Sequence, residues 1–194
     1  MQPKDDAFSL CGKTVLVTGA SSGIGRQAAV SCAGRGAAVV VTARREEALR
    51  QTLAALPGEG HRFICADLTR SDEREALVGG LPALDGVVHC AGVSTRMPCK
   101  LITEEHIRQV MDVNFTAQVL LQTALLKQKR LKSTASVVFL ASRAAEYPSP
   151  GNAIYSASKG ALVSYAKCLG LELAGRGIRV NCIRPGPSPA AATS

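Results

Sequence analysis

Along this chain, short apolar runs rich in β-branched residues alternate with longer segments whose apolar positions recur at helical spacing. The runs Thr14–Val17, Ala38–Thr42, Arg62–Cys65, Gly86–Cys90, Ser136–Ala141 and Arg179–Ile183 predict strands. Ile24–Arg35, Glu46–Leu56, Asp72–Val78, Glu104–Lys129 and Ala153–Ala174 predict helices, the fourth open to a break. Strands that are apolar throughout are buried on both faces, so this alternation with short connections predicts a parallel sheet covered on each side. Right-handed crossovers then lead to an α/β fold, a doubly wound parallel sheet of Rossmann type in the order 3-2-1-4-5-6. The sequence has no repeat and no internal linker.

Composition narrows the class. A chain of 194 residues with 46% hydrophobic content holds one such domain and a real core. No apolar stretch approaches the ~18–20 residues of a membrane span. The first residues, Met1 to Asp6, are polar and carry two acids, which argues against a signal or transit peptide, so a cytoplasmic protein with no membrane partner is expected. Seven cysteines form no Cys-x-x-Cys pair, and His61, His89 and His106 are scattered, so no metal site is expected. Cys65, Cys168 and Cys182 lie in apolar segments and read as small reduced hydrophobes. The net charge of +8 invites a nucleic-acid reading. However, the densest basic run (Lys127, Lys129, Arg130, Lys132) ends a predicted helix, where cations complement the dipole. Aromatic residues make up only 4% of the chain, which leaves few stacking platforms, so no nucleic-acid partner is expected.

Three local patterns carry chemistry. The strand at Lys13 to Thr18 runs directly into Gly19-Ala20-Ser21-Ser22-Gly23-Ile24-Gly25 and a helix. Such a turn presents unpaired backbone N–H groups and a helix N-terminus to a pyrophosphate. Gly19 permits the turn, Gly23 lets the backbone approach phosphate, and Gly25 lets the helix pack closely on the sheet. The spacing Gly-x-x-x-Gly-x-Gly is a variant of the dinucleotide fingerprint, and an ordinary strand-to-helix loop is the competing reading. Tyr155 and Lys159 stand four residues apart at the start of an apolar helical run, so phenol and ammonium share a face. An ammonium stabilises a phenolate, and the pair can move a proton near neutral pH; alone, it equally suits a packed ring and a solvated stem. Ser142 closes the run Val137 to Ala141, at the strand end where open α/β sheets bind ligands, although a turn or cap would also use a serine.

Taken together, these patterns resemble the short-chain dehydrogenase/reductase family. The matches are Thr18 to Gly25, Asn114 in Val113-Asn114-Phe115, Ser142, Tyr155-Ser156-Ala157-Ser158-Lys159, and Pro185-Gly186. They fall in the family's order and span about Leu10 to Gly186. The resemblance implies an NAD(P)-binding domain over 1–186, followed by an irregular Pro/Ala-rich tail at 187–194. It implies a catalytic set in which Tyr155 is the acid or base and Lys159 assists it and holds the nicotinamide ribose. In the same set, Ser142 would bind the substrate oxygen and Asn114 support a proton relay. Cofactor contacts are implied at Gly19, Ser21, Ser22, Gly23, Ile24 and Gly25, at Asp67 and Leu68 near the adenine, and at Cys90, Ala91 and Gly92 near the ribose. Further contacts are implied at Asn114, Tyr155, Lys159, Pro185 and Gly186. Cys90 stands where the family has asparagine, and a thiol is a weaker hydrogen-bonding partner, which puts local rigidity in doubt. Asn114 falls mid-helix, where asparagine is unfavourable, so a kink or a satisfied buried amide is the alternative to a relay.

At the end of the second strand, Ala43 occupies the place where an acid would bind the adenosine ribose hydroxyls and select NAD. Arg44 and Arg45 follow, and an arginine fork suits a 2′-phosphate. NADP(H) is therefore expected rather than NAD(H), Arg44 being the stronger candidate; otherwise both arginines simply begin a solvated helix. The expected activity moves a hydride between NADP(H) and a small carbonyl or alcohol substrate. The alternative is a catalytically impaired NADP-binding or interaction protein. The family continues past its Pro-Gly with a substrate-covering loop, a further helix and a seventh strand, so the chain looks truncated at its C-terminus with strand six an exposed edge. The two long helices, Glu104–Lys129 and Ala153–Ala174, are more apolar than one sheet face requires, and a homodimer through them is expected.

Overall fold

A computed structural model describes residues 7–186; the expected tail at 187–194 and the polar start at 1–6 lie outside the described residues. Six strands form one parallel sheet: β1 (Thr14–Thr18), β2 (Ala38–Ala43), β3 (Arg62–Cys65), β4 (Leu84–His89), β5 (Leu131–Leu140) and β6 (Arg179–Ile183). Their order is β3-β2-β1-β4-β5-β6, with every neighbouring pair parallel, as the alternating pattern implied. The helices are α1 (Gly23–Gly34), α2 (Glu46–Ala54), α3 (Ser71–Gly79), α4 (Glu104–Met111), α5 (Ala117–Lys127) and α6 (Ala153–Leu173).

Successive side chains of a strand point to opposite faces, so each central strand serves two cores. Val15 and Val17 of β1, with Val39 and Val41 of β2, pack with Ala29 and Ala33 of α1 and Leu49 of α2. Leu16, Val87, Val137 and Phe139 face the other way, into a core completed by α3, α5 and α6. Burial on both faces is what the uninterrupted apolar runs predicted.

Two elements differ from expectation in ways that matter below. The helix expected over Glu104–Lys129 is divided by a π-helical turn, Asp112–Thr116, with Asn114 buried inside it. The strand expected at Ser136 begins at Leu131 instead, because Leu84 pairs Leu131 and Gly86 then pairs Ser136, leaving an excursion on β5. Thr134 in that excursion has φ 65°, which breaks the period that sequence reading relies on. In the basic run, Lys132 pairs with Asp85 at 2.7 Å and Arg130 donates to the Gly79 carbonyl at 3.0 Å. Cys65 and Cys168 are exposed, since β3 is an edge strand and Cys168 lies on the outer side of α6, whereas Cys182 is half-buried and packs against the core. Among the described residues no group of His, Cys, Asp and Glu could hold a metal, and no helix is long and apolar enough to cross a membrane.

Candidate active site

At the carboxyl end of the sheet, the turn after β1 reaches across to the segment after β4. Gly19 has φ 61°, and a Cβ there would lie 2.7 Å from the Ala91 Cα, so both conformation and space require glycine. A Cβ on Gly25 would collide with the Gly19 carbonyl, which is how close α1 comes to the turn. Ser22 precedes the first turn of α1 without capping it through its side chain, leaving early N–H groups free to meet an anion. Arg26 holds the turn from behind: its Nη2 donates to the Ser21 carbonyl at 2.9 Å and its Nε to Thr52 Oγ1 at 2.9 Å. Thr52 in turn donates to the Ala20 carbonyl at 2.9 Å.

This turn borders a cavity of about 450 Å³ that Gly19, Ser21, Ser22, Gly23, Ile24, Gly25, Arg44, Arg45, Asp67, Leu68, Cys90, Ala91 and Gly92 all line. Arg45 donates to Ser21 Oγ at 3.4 Å. Asp67 does not cap α3; its Oδ1 accepts from the Thr69 N–H at 2.9 Å and the Thr69 hydroxyl at 2.8 Å. Burial pushes the Asp67 carboxyl up, but the Thr69 hydrogen bonds and the charges of Arg44 and Arg70 outweigh it and hold it below the usual range.

A second cavity of about 630 Å³ is lined by Ser142, Tyr155, Lys159, Pro185 and Gly186. Ile24, Cys90, Gly92, Val93 and Leu140 line both, so the two form one cleft. Tyr155 and Lys159 rise from the first two turns of α6, with Lys159 Nζ 5.8 Å from the phenol ring centroid. Lys159 is only 4% exposed and donates to the Leu140 carbonyl at 2.8 Å. Burial pulls its ammonium down to about 8, opposed by the thiols of Cys90 and Cys182. Ser142 does cap the short turn that follows, accepting from the Ala144 N–H at 3.1 Å, yet it also lines the cavity.

Asn114 lies behind the cleft rather than in its wall. Its Oδ1 accepts from the Val93 N–H at 2.7 Å, and its Nδ2 donates to the Val93 carbonyl at 2.9 Å and to Ser158 Oγ at 3.0 Å. The Ser158 hydroxyl donates to the Tyr155 carbonyl at 2.7 Å, so Asn114 ties the Val93 segment to α6. The kink and the satisfied amide anticipated for Asn114 are therefore both present. Gln118 donates to the Ala91 carbonyl at 2.6 Å and to the Asn114 carbonyl at 2.9 Å.

These bonds answer the doubt about Cys90. Thr18 Oγ1 accepts from the Cys90 and Ala91 N–H groups at 3.1 and 3.2 Å, so the segment is held from both sides without an asparagine. Burial pushes the Cys90 thiol up to about 11, partly countered by the Lys159 ammonium. A Cβ on Gly92 would sit 3.3 Å from both Asn114 Oδ1 and Lys159 Nζ, which places the segment directly against Lys159. Thr18, Arg26, Gln118 and Ser158 were given no site role from sequence; Arg26, Gln118 and Ser158 each have one partner within five residues, but the bonds that tie Thr18, Gln118 and Ser158 to the site reach remote segments and leave no local pattern.

The glycine-lined cavity thus fits a dinucleotide. Backbone donors face it at a helix N-terminus, glycines stand where side chains would fill it, and it opens directly onto Tyr155, Ser142 and Lys159.

Comparison with known proteins agrees with this geometry. The family model for short chain dehydrogenase matches residues 13–193. Dehydrogenase/reductase SDR family member 4 of Homo sapiens is 37% identical over 185 residues, covering 91% of this chain and 66% of that protein. Glucose 1-dehydrogenase of Gluconobacter oxydans is 36% identical over 194 residues, covering 95% of this chain and 71% of that one. Among solved structures, an actinorhodin polyketide ketoreductase variant with NADPH superposes with a TM-score of 0.86 at 35% identity, covering 93% of this chain and 73% of its own. A 3-ketoacyl-(acyl-carrier-protein) reductase from Brucella melitensis complexed with NADH gives 0.85 at 29% identity, covering 92% and 77%. The chain spans about two thirds to three quarters of the length of these relatives.

Proposed function

Because this chain belongs to the short chain dehydrogenase family, we propose that it is an NADP-dependent oxidoreductase acting on a small carbonyl/alcohol pair. The observation that carries the proposal is the continuity of the glycine-turn cavity with the cavity of Ser142, Tyr155 and Lys159. The nicotinamide dinucleotide, when bound, supplies or accepts the hydride.

The protein's own residues would do the rest. The turn from Gly19 to Gly25 binds phosphate through its backbone, stiffened by Arg26. Ser142 donates a hydrogen bond to the substrate oxygen, polarising the carbonyl and orienting it. Tyr155 gives its phenolic proton to that oxygen in reduction and takes it back in oxidation. Lys159 remains predominantly an ammonium at neutral pH and supplies positive charge beside the phenol. Asn114 and Ser158 fix the spacing between the Val93 segment and α6. Screening NADPH consumption over a panel of aldehydes and ketones tests the reading. Turnover of at least one supports it; NADPH binding with no turnover would favour a binding or interaction role instead.

Cofactor choice rests on Arg44 and Arg45, which are exposed on the wall of the glycine-turn cavity, with Ala43 in place of an acid. Arg44→Ala is expected to weaken NADPH by about 1.5–3 kcal/mol, the scale of a hydrogen bond to a charged group, and to spare NADH. Equal losses for both cofactors in a binding titration would make Arg44 a surface residue with no 2′-phosphate role.

The family setting also suggests a homodimer. Leu120 on α5 and Leu171 on α6 are 41% and 81% exposed on the helices expected to pair. Light scattering at micromolar concentration should give a dimer, and Leu171→Glu should shift it toward monomer. A monomeric parent protein would reject the pairing.

A further inference from the structure

The substrate half of the cleft has a charge that the redox chemistry does not require. Among the described residues its lining includes Arg96, Arg143 and Lys159 and no aspartate or glutamate. Lys159 is committed to the catalytic pair, but the two arginines are not. Arg143 follows Ser142 directly, so its side chain starts one residue from the group proposed to hold the substrate oxygen. Its backbone N–H donates to the Pro185 carbonyl at 3.2 Å, fixing its base against the segment that closes the site. Its guanidinium lies 5.4 Å from the Tyr147 ring centroid, and a Cβ on Gly186 would be 3.4 Å from its Cδ. The acid nearest to Arg143 in sequence, Glu146, is paired with Arg184 instead, and among the described residues Arg143 makes no salt bridge.

Arg96 also lines the cavity, from the loop after β4. Its loop is fastened to the approach of α6 by the Met97 N–H, which donates to the Gly151 carbonyl at 2.8 Å. The remaining polar wall residues, Ser94, Ser149 and Asn152, are neutral. These arginines are separate from the phosphate-binding region, which has its own cations in Arg44 and Arg45 on the other cavity. Two guanidinium groups that make no salt bridge, around a cavity with no acid among its described wall residues, make it selective for negative charge.

Building on the reductase reading above, we propose that the substrate is a carbonyl compound bearing a carboxylate, which Arg143 holds as a fork while Ser142 and Tyr155 engage the carbonyl oxygen. Arg96 adds attraction from elsewhere in the wall. An arginine offers two parallel donors to a carboxylate, which fixes the orientation of the neighbouring carbonyl as well as raising affinity.

The test compares benzoylformate with its methyl ester, which keeps the carbonyl and ring but has no charge, using the protein saturated with NADP+. Calorimetric titration should show the acid binding at least about 10-fold more tightly, the scale of one charge-assisted hydrogen bond. Arg143→Gln should erase that preference, and Arg143→Lys should restore part of it, while NADP+ affinity reports that each variant is folded. Equal affinity for acid and ester, no binding of the acid, or a preference untouched by Arg143→Gln would each overturn the inference. Reduction of the neutral ester without preference for the acid would reject this inference and leave the reductase reading intact. Arg143-dependent acid binding without turnover of any carbonyl would support the binding inference and reject the reductase reading.

Discussion

Tyr155→Phe is expected to lower carbonyl reduction by about 100- to 10,000-fold, the contribution of one positioned proton donor, while leaving NADPH binding nearly unchanged. The substitution keeps the ring that stands 5.8 Å from Lys159 Nζ and removes only the hydroxyl. Nothing in the first turn of α6 depends on that hydroxyl, because Tyr155 is tied to the rest of the site through its backbone carbonyl and Ser158. A loss confined to kcat, with NADPH affinity and melting temperature preserved, is therefore the signature of a lost proton donor. Turnover near the parent level would remove Tyr155 from the mechanism. A parallel loss of NADPH affinity would instead mean that the ring positions the cofactor.

The parts of this site that could be read from sequence share one property: their partners are close in the chain. The glycine turn lies between a strand and a helix, and Tyr155 and Lys159 are one helical turn apart, so spacing alone placed them. The strand order followed from apolar runs and handedness, because a sheet buried on both faces leaves little freedom in how consecutive units stack. What could not be read was the way the Cys90 to Val93 segment is held. Thr18 grips it from 72 residues upstream, Asn114 from 21 downstream and Gln118 from 27. None of those residues looks different from an ordinary polar side chain in its own neighbourhood. Asn114 stood out in sequence through the family match and as a poor mid-helix residue, but neither named its partners; in the structure it lies in the π turn. Within this turn the Asn114 carbonyl accepts from the Gln118 side chain, and the Asn114 side chain bonds Val93 and Ser158. Arg143 was invisible for a related reason. Its importance comes from the absence of acid around a cavity assembled from segments far apart in the chain.

Acidification from pH 7 to pH 4 should cost the protein about 3 kcal/mol through a single group, His89. This histidine ends β4 immediately before the Cys90 segment, is fully buried, and stacks on Phe139 with centroids 4.5 Å apart. Its Nε2 meets Gln122 Oε1 at 3.1 Å, and its Nδ1 has no partner among the described residues. Protonating Nδ1 would place a cation in an apolar core, and this burial depresses the folded-state pKa from 6.5 to about 4, slightly relieved by Gln122. The unfolded chain binds the proton near 6.5 and the folded one only near 4, so between these values unfolding takes up a proton. Stability therefore falls as pH drops through that window and levels off below it, at about 1.4 kcal/mol per unit of difference. The carboxylates held below their usual range, Asp67, Asp72 and Asp85, begin to lose their contributions near pH 5 and lose most of them below about 3.8, so they add a smaller fall at the acid end of the window that parent and variant share. Urea unfolding at pH 7, 5.5 and 4.2 should show the loss. The paired variant His89→Leu with Gln122→Leu, which removes the titrating group and its partner together, should show little of it. Curves for parent and variant that fall in parallel across this range would mean that His89 is not the acid-sensitive element of the core.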